Sequence, residues 1–306
     1  MNENTLSRAT LAAFFITILL GGFNAIGVHF IVMELPPFWG ATIRFGPAAA
    51  ILLLASLIFR LPLPRGRSLI GAILFGILNF GGSYAFLYWG LLRVQAGMTQ
   101  VLLASVPLLT FLFAIAHRQE AFRWRTLAGA LLAVGGIALV FLEHIRANVP
   151  FAYILSVILG AACFAEANVV IKNFPMGHPI STNVVGMASG ALILFVISLI
   201  FRETPAIPLH SATWISLTYL ILLGSCAVFI LSLFVLKRWT AFAVSYTFVL
   251  MPFVTIVASA WLTGEKLSPA LLVGARLVIA GVYVGVLGAN GGIRQLSRSP
   301  LPQAED

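Results

Sequence analysis

The chain has 306 residues, 60% of them hydrophobic and 9% charged, with a net charge of +9 and a mean hydropathy of +1.04. A water-soluble domain carries about 25% charged residues, so this composition excludes a soluble globular fold and makes lipid the main solvent. Nor does the positive balance point to nucleic acid, because the basic residues fall mostly in short segments between apolar runs, as the cytoplasmic bias of membrane loops dictates.

In chain order the apolar runs predict ten helices, at roughly 9–31, 37–59, 68–92, 96–117, 124–142, 150–172, 179–201, 212–236, 241–263 and 268–290. Each can cross a hydrocarbon core of about 30 Å at about 1.5 Å per residue. Runs of this length suit helices rather than barrel strands. The expected fold class is all-α, a polytopic membrane protein. One Arg precedes the first run, as in a weak signal peptide. No small-x-small cleavage site follows, so the run reads as a retained span. Cys163 and Cys226 fall inside apolar runs, where buried single thiols are expected rather than a disulfide. The polar residues 293–306 form a tail.

Orientation follows from the basic residues. With the N-terminus in the cytoplasm, the inner segments hold Arg8, Arg60, Arg65, Arg67, Arg118, Arg123, Arg125, Lys172, Lys237, Arg238, Arg294 and Arg298. The outer ones hold Arg93, Arg146, Arg202 and Lys266. This imbalance predicts that both termini are cytoplasmic.

The chain also repeats itself. Residues 87–142 return as 232–287 at one ungapped shift. Pro107 matches Pro252, Glu120 matches Glu265, Ala96 matches Ala241 and Thr110 matches Thr255. Gly129 and Gly136 match Gly274 and Gly281. Earlier segments align through Pro37 and Pro179 at a shift three residues shorter, which puts Asn24 on Glu166. The expected units are 1–147 and 148–292, each of five helices, with 293–306 as a cytoplasmic tail. An odd helix number inverts the second copy in the membrane, the pattern of secondary transporters.

The segment MPFVTIVASAWLTGEKLSP with the Gly-bearing helix after it, and the opening LPPFWGATIRF with Arg44, resemble the drug/metabolite transporter superfamily, in particular its ten-helix EamA-type exporters. The likeness spans both halves. The first copy departs from the pattern with HRQEAF where a Gly-Glu pair is usual, and Phe23-Asn24 stand where the first helix often has Trp. The resemblance implies a bacterial inner-membrane exporter of amino acids or related small metabolites, with the aromatic amino-acid branch as the nearest. A multidrug or other metabolite exporter of the same fold is the alternative.

Transport would use polar groups at depth. Glu166 is the one Glu well inside a predicted span, where ionisable groups are costly and functional by default. It would contact a substrate amine or take up a proton, unless a neighbouring polar group simply holds it. Asn24, Asn79, Gln100 and Asn168 are further cavity candidates, with interhelical hydrogen bonds as their plainer role. Tyr84 and Tyr246 suit an amphiphilic substrate. Trp89 and Tyr88 lie nearer a span end, where an interfacial belt is the simpler reading. Arg44 and Arg276 could pair with a carboxylate or serve structure alone. Pro107 and Pro252 are hinge candidates. Gly281 and Gly285 form a GxxxG that could pack closely on a helix or a second protomer.

Other functions lack their chemistry. No carboxylate cluster exists for magnesium and phosphates, no HExxH for zinc, and no Walker sequence for ATP. The histidines show no metal-ligand spacing. An inverted repeat in one chain argues against a channel, which needs a selectivity ring or a symmetric pore. The expectation is therefore no enzyme, no cofactor and no metal. Expected partners are a small-molecule substrate and the lipid bilayer, without nucleic acid, for a monomer or homodimer.

Overall fold

A computed structural model describes residues 7–94, 99, 102–141, 149–263 and 269–287. Ten helical segments run through them, and among the described residues there is no strand. They are α1 (Arg8–Glu34), α2 (Pro37–Ile58), α3 (Arg67–Leu91), α4 (Val106–Ala116) and α5 (Trp124–Phe141), then α6 (Phe151–Val170), α7 (Pro179–Ile200), α8 (Ser211–Leu236), α9 (Thr247–Thr263) and α10 (Pro269–Val282). Six of these, α1, α2, α3, α6, α7 and α8, are long and apolar enough to cross a membrane over the described residues. The others have shorter apolar stretches. The predicted ninth span begins as a separate short helix, Ala241–Ser245, before α9. Gln100, Glu265 and the tail 293–306 lie outside the described residues.

Local chemistry sets the helix ends. Ser7 caps α1, its hydroxyl accepting from the Thr10 amide at 3.2 Å. Pro37 and Pro179 open α2 and α7, where a missing amide proton is harmless. After α2 and after α7 the chain turns through a left-handed arginine, Arg60 (φ 50) and Arg202 (φ 55). These two positions match at the same shift as Pro37 and Pro179.

The two copies run in opposite directions. Along α5 and α10, Gly129 lies against Gly281 and Gly285, while Gly136 lies against Gly274. As one helix advances the other recedes, so they are antiparallel. The contacts are also symmetric, because Gly129 and Gly136 are the counterparts of Gly274 and Gly281. A second antiparallel pair, α2 and α7, brings Phe38 at the start of one helix 5.1 Å from Phe201 just past the end of the other, ring to ring. Inversion of the five-helix repeat is thus present in the packing itself.

A further symmetric feature is a π-helical turn in the middle of α3, at Ile77–Gly82, and in α8, at Leu222–Ala227. The two turns match residue for residue at the shift of the later segments. Large apolar side chains such as Leu54, Phe59, Leu192 and Ile200 are exposed, as lipid-facing surfaces require.

The glycine seam gives a direct test. A Cβ on Gly129 would collide with the backbone of Gly285, whereas one on Gly135, further along the same helix, meets nothing within 4 Å. Gly129→Ala should therefore destabilise the protein by about 1–3 kcal/mol through overpacking. Gly135→Ala should be neutral or stabilise it by up to about 1 kcal/mol. Thermal unfolding in detergent distinguishes the two.

Candidate functional site

Between α1, α2, α3, α6, α9 and the residues Thr99 and Leu103 ahead of α4 lies a cavity of about 490 Å³, within the usual range of small-molecule sites. Exposed His29, Leu92 and Arg93 mark its mouth, at the ends of α1 and α3. Its walls are largely apolar and aromatic, with Tyr84, Phe164, Phe248 and Met251 among them. The lining takes in the second half of α1 and of α3, and none of it comes from the opposite ends of these helices.

Arg44 forms the floor. It is fully buried, and among the described residues no carboxylate pairs with it. Its Nε donates to the Ser225 hydroxyl at 2.9 Å and its Nη2 donates to the Gly224 carbonyl at 3.1 Å. The guanidinium carbon lies 4.8 Å from the Phe45 ring centre and 5.1 Å from that of Tyr84, so two aromatic faces help to hold the charge. Asn24 from α1 donates to the same Gly224 carbonyl at 3.2 Å. Three buried groups on this floor, Arg44 Nη1, the Tyr88 hydroxyl and Asn24 Oδ1, have no hydrogen-bond partner among the described residues.

The π turn of α8 explains why that carbonyl is available. A π turn interrupts the ordinary ladder and lets carbonyl oxygens bond outside their helix. In the first copy the matching carbonyl belongs to Asn79, and the Ser83 hydroxyl takes it within α3. The counterpart of Ser83 is Val228, which has no hydroxyl. The Gly224 carbonyl is thus left for Arg44 and Asn24.

Of the residues singled out from sequence, Asn24 and Tyr84 line the cavity. Asn79 is buried in the α3 π turn and Asn168 donates back to the Phe164 carbonyl at 3.0 Å, both outside the lining. Tyr246 is buried beside Phe242, its hydroxyl close to Gly285, again away from the cavity. Pro107 occupies the first turn of α4, and Pro252 lies inside α9. Of the two intramembrane arginines, Arg276 is exposed on α10 while Arg44 belongs to the cavity.

Glu166 takes part in a second polar group, at the far end of the bundle from the mouth. Gln119 donates to the Val169 carbonyl and to Asn173 Oδ1, each at 2.8 Å. Asn173 Nδ2 then faces His117 Nδ1 at 3.0 Å, which leaves the imidazole proton on Nε2. That nitrogen stands 2.8 Å from Glu166 Oε1. Beside this chain Lys172 donates to the carbonyls of Leu236 and Trp239, at 2.8 and 2.6 Å. The α4–α5, α6–α7 and α8–α9 connections are thereby tied together. On the mouth side Glu203 accepts from the Phe38 and Trp39 amides at 3.2 and 2.8 Å, fastening the α7–α8 loop to the start of α2.

Sequence reasoning assigned Tyr88 to an interfacial belt, whereas it is buried in the cavity lining, and it passed over Phe164, Phe248 and Gly224. Nothing local distinguishes a wall phenylalanine from a core one. A signal did exist for Gly224 and Ser225, since they match Asn79 and an adjacent Phe80, polar and apolar positions exchanged between otherwise similar helices.

The model of the EamA-like transporter family matches residues 8–142 and again 151–287. The chain is 27% identical to the uncharacterized inner membrane transporter YedA of Escherichia coli (strain K12), over 90% of each. It is 28% identical to a probable terminal-alkyne amino-acid exporter of Streptantibioticus cattleyicolor, covering 72% of this chain and 74% of that one. It is 23% identical to a probable amino-acid metabolite efflux pump of Salmonella typhimurium, covering 89% and 93%. A solved crystal structure at 21% identity superposes with a TM-score of 0.75 over 92% of this chain and 98% of the other, which supports the fold. The family and the relatives' names indicate transporters rather than enzymes.

Two predictions follow the geometry. Ser225→Ala deprives the buried Arg44 Nε of its partner and should cost at least about 1–3 kcal/mol in thermal or denaturant unfolding. Glu120, in the α4–α5 loop, is held above the ordinary carboxylate value by burial, against a hydrogen bond with Thr240 and the charge of Lys172. The folded chain therefore holds this proton more tightly than the unfolded chain. The resulting penalty is absent below the unfolded value and grows as pH rises through the folded one. Glu120→Gln should raise the melting temperature, relative to the parent, more at pH 7.5 than at pH 4.5.

Proposed function

The chain belongs to the EamA-like transporter family, and on that premise we propose that it exports amino acids, aromatic ones among them, or related small metabolites across the bacterial inner membrane. The route is the cavity between α1, α2, α3, α6 and α9, used by alternating access, with both termini in the cytoplasm. Inner-membrane relatives and several helices able to span a membrane support the location.

One observation carries the reading: an uncompensated guanidinium at the floor of an aromatic cavity. Such a charge is costly at membrane depth, and a carboxylate from outside the protein supplies what the described residues do not. Asn24 helps to fix the Gly224 carbonyl, and Tyr84 presents one ring to Arg44 and a wall to the substrate's apolar body. Two inverted copies, a cavity open at one end and polar ties at the other are what an outward-open state requires. In the opposite state the ties among His117, Glu166, Gln119 and Asn173 part, and Pro252 inside α9 is the hinge.

Proteoliposome counterflow with a panel of labelled amino acids tests this. Exchange should appear for at least one member and fall at least tenfold in Arg44→Gln with an unchanged gel-filtration profile. No counterflow of any small metabolite would remove the transporter reading.

A further inference from the structure

Resting on the reading of the cavity as the transport site, we propose that this site reads a carboxylate and does not read an amine. Its ligands are monoanions with an apolar body, and an α-ammonium group is dispensable.

The valences left open on the floor decide the matter. Arg44 is fully buried, carries a permanent charge and has Nη1 unpartnered. Tyr88, buried above it, has an unpartnered hydroxyl. Together they offer two donors to the two oxygens of one carboxylate, in a setting where charge-assisted bonds are strongest.

For a cation the site has little. Among the described lining residues there is no Asp or Glu, and the charged groups present, Arg44 and Arg93, are positive. One neutral acceptor, Asn24 Oδ1, is also unpartnered, but it is packed against Gly224, where a Cβ would strike it, and it carries no charge to offset an ammonium group. An ammonium group brought to this floor loses its water, gains no anion and stands beside a fixed positive charge. Around it, Tyr84, Phe164, Phe248 and Leu87 give an apolar, largely aromatic enclosure. An amino acid carries its ammonium group on the carbon next to the carboxylate, so that group arrives near the floor without an anion to meet it, and removing it costs no ionic contact.

The full chain in detergent, titrated calorimetrically with four ligands that share a phenyl body, tests the inference. They are phenylalanine, 3-phenyllactate, 3-phenylpropionate and phenethylamine. Both amine-free carboxylates should bind at least as tightly as phenylalanine, and phenethylamine at least 100-fold more weakly. Tyr88→Phe keeps the ring and should weaken every carboxylate about tenfold, the equivalent of about 1.4 kcal/mol. Arg44→Gln should weaken them further and abolish the preference over phenethylamine. Phenethylamine binding within tenfold of phenylalanine overturns the proposal. So does a tenfold loss on removal of the amine, or absence of binding by all four. Counterflow separates the two readings: exchange of some other solute would leave the transporter reading standing while this one falls.

Discussion

A guanidinium is buried inside a membrane bundle with, among the described residues, no carboxylate beside it. Everything at the centre of the molecule is an accommodation of that charge. Carbonyl and hydroxyl oxygens of α8 take two of its donors. The faces of Phe45 and Tyr84 lie near its charged carbon, and its remaining amino group, buried beside the cavity, has no partner among the described residues. A buried charge with all its valences filled would be a structural rivet. Arg44 keeps one open, and the cost of doing so makes the position suited to a ligand that arrives and leaves.

That arrangement depends on broken symmetry. The two five-helix copies share their packing seam, their π turns and even the left-handed turns after α2 and α7. The position matching Arg44 in the second copy is Gly186, which packs against Phe75 and Phe80 of α3. The position matching Ser83 is Val228. One copy therefore supplies a cation and satisfies its own π-turn carbonyl. The other supplies no cation and leaves its carbonyl open. Each substitution alone would leave either a charge without an acceptor or an acceptor without a donor. Together they place Arg44 across the interface between copies, where a rocking motion can alter its surroundings.

Much of this architecture was legible in the sequence. Ten apolar runs, the imbalance of basic loops and the register of Pro, Glu and Gly led to an inverted repeat, since these signals depend on bulk solvent and chain geometry. The finer site did not follow, for physical reasons. Depth along a helix tells how costly a polar group is but not which neighbour reaches it. Asn24 and Glu166 occupy matching positions, yet one meets a carbonyl at the cavity floor and the other meets His117 on a distant turn. The partner of Arg44 was invisible because a π turn leaves only a weak trace in residue identity. Trp89 and Tyr153 stack near the ends of their helices, 4.7 Å apart, whereas Tyr88, one residue earlier and read from sequence as interfacial too, is buried in the cavity lining with Arg44.

The two ends of the bundle are closed by different kinds of contact, and this bears on how the cavity could change sides. At the mouth, Glu203 grips the amide end of α2 and Trp39 donates to the Ala206 carbonyl at 2.8 Å. These bonds join α2 to the loop after α7, helices that already pack along their length, so they can survive as one body. At the far end the bonds join three connections whose helices surround the cavity. The chain of donors from Gln119 through Asn173 and His117 to Glu166 has a fixed direction, because the Val169 carbonyl at its head can only accept. Turning the Asn173 amide would set it against Gln119, and turning Gln119 would set its oxygen against Val169, so no link of the chain reverses by itself. Parting the far end therefore releases the chain as a unit, whereas the bonds described at the mouth join elements that already pack together.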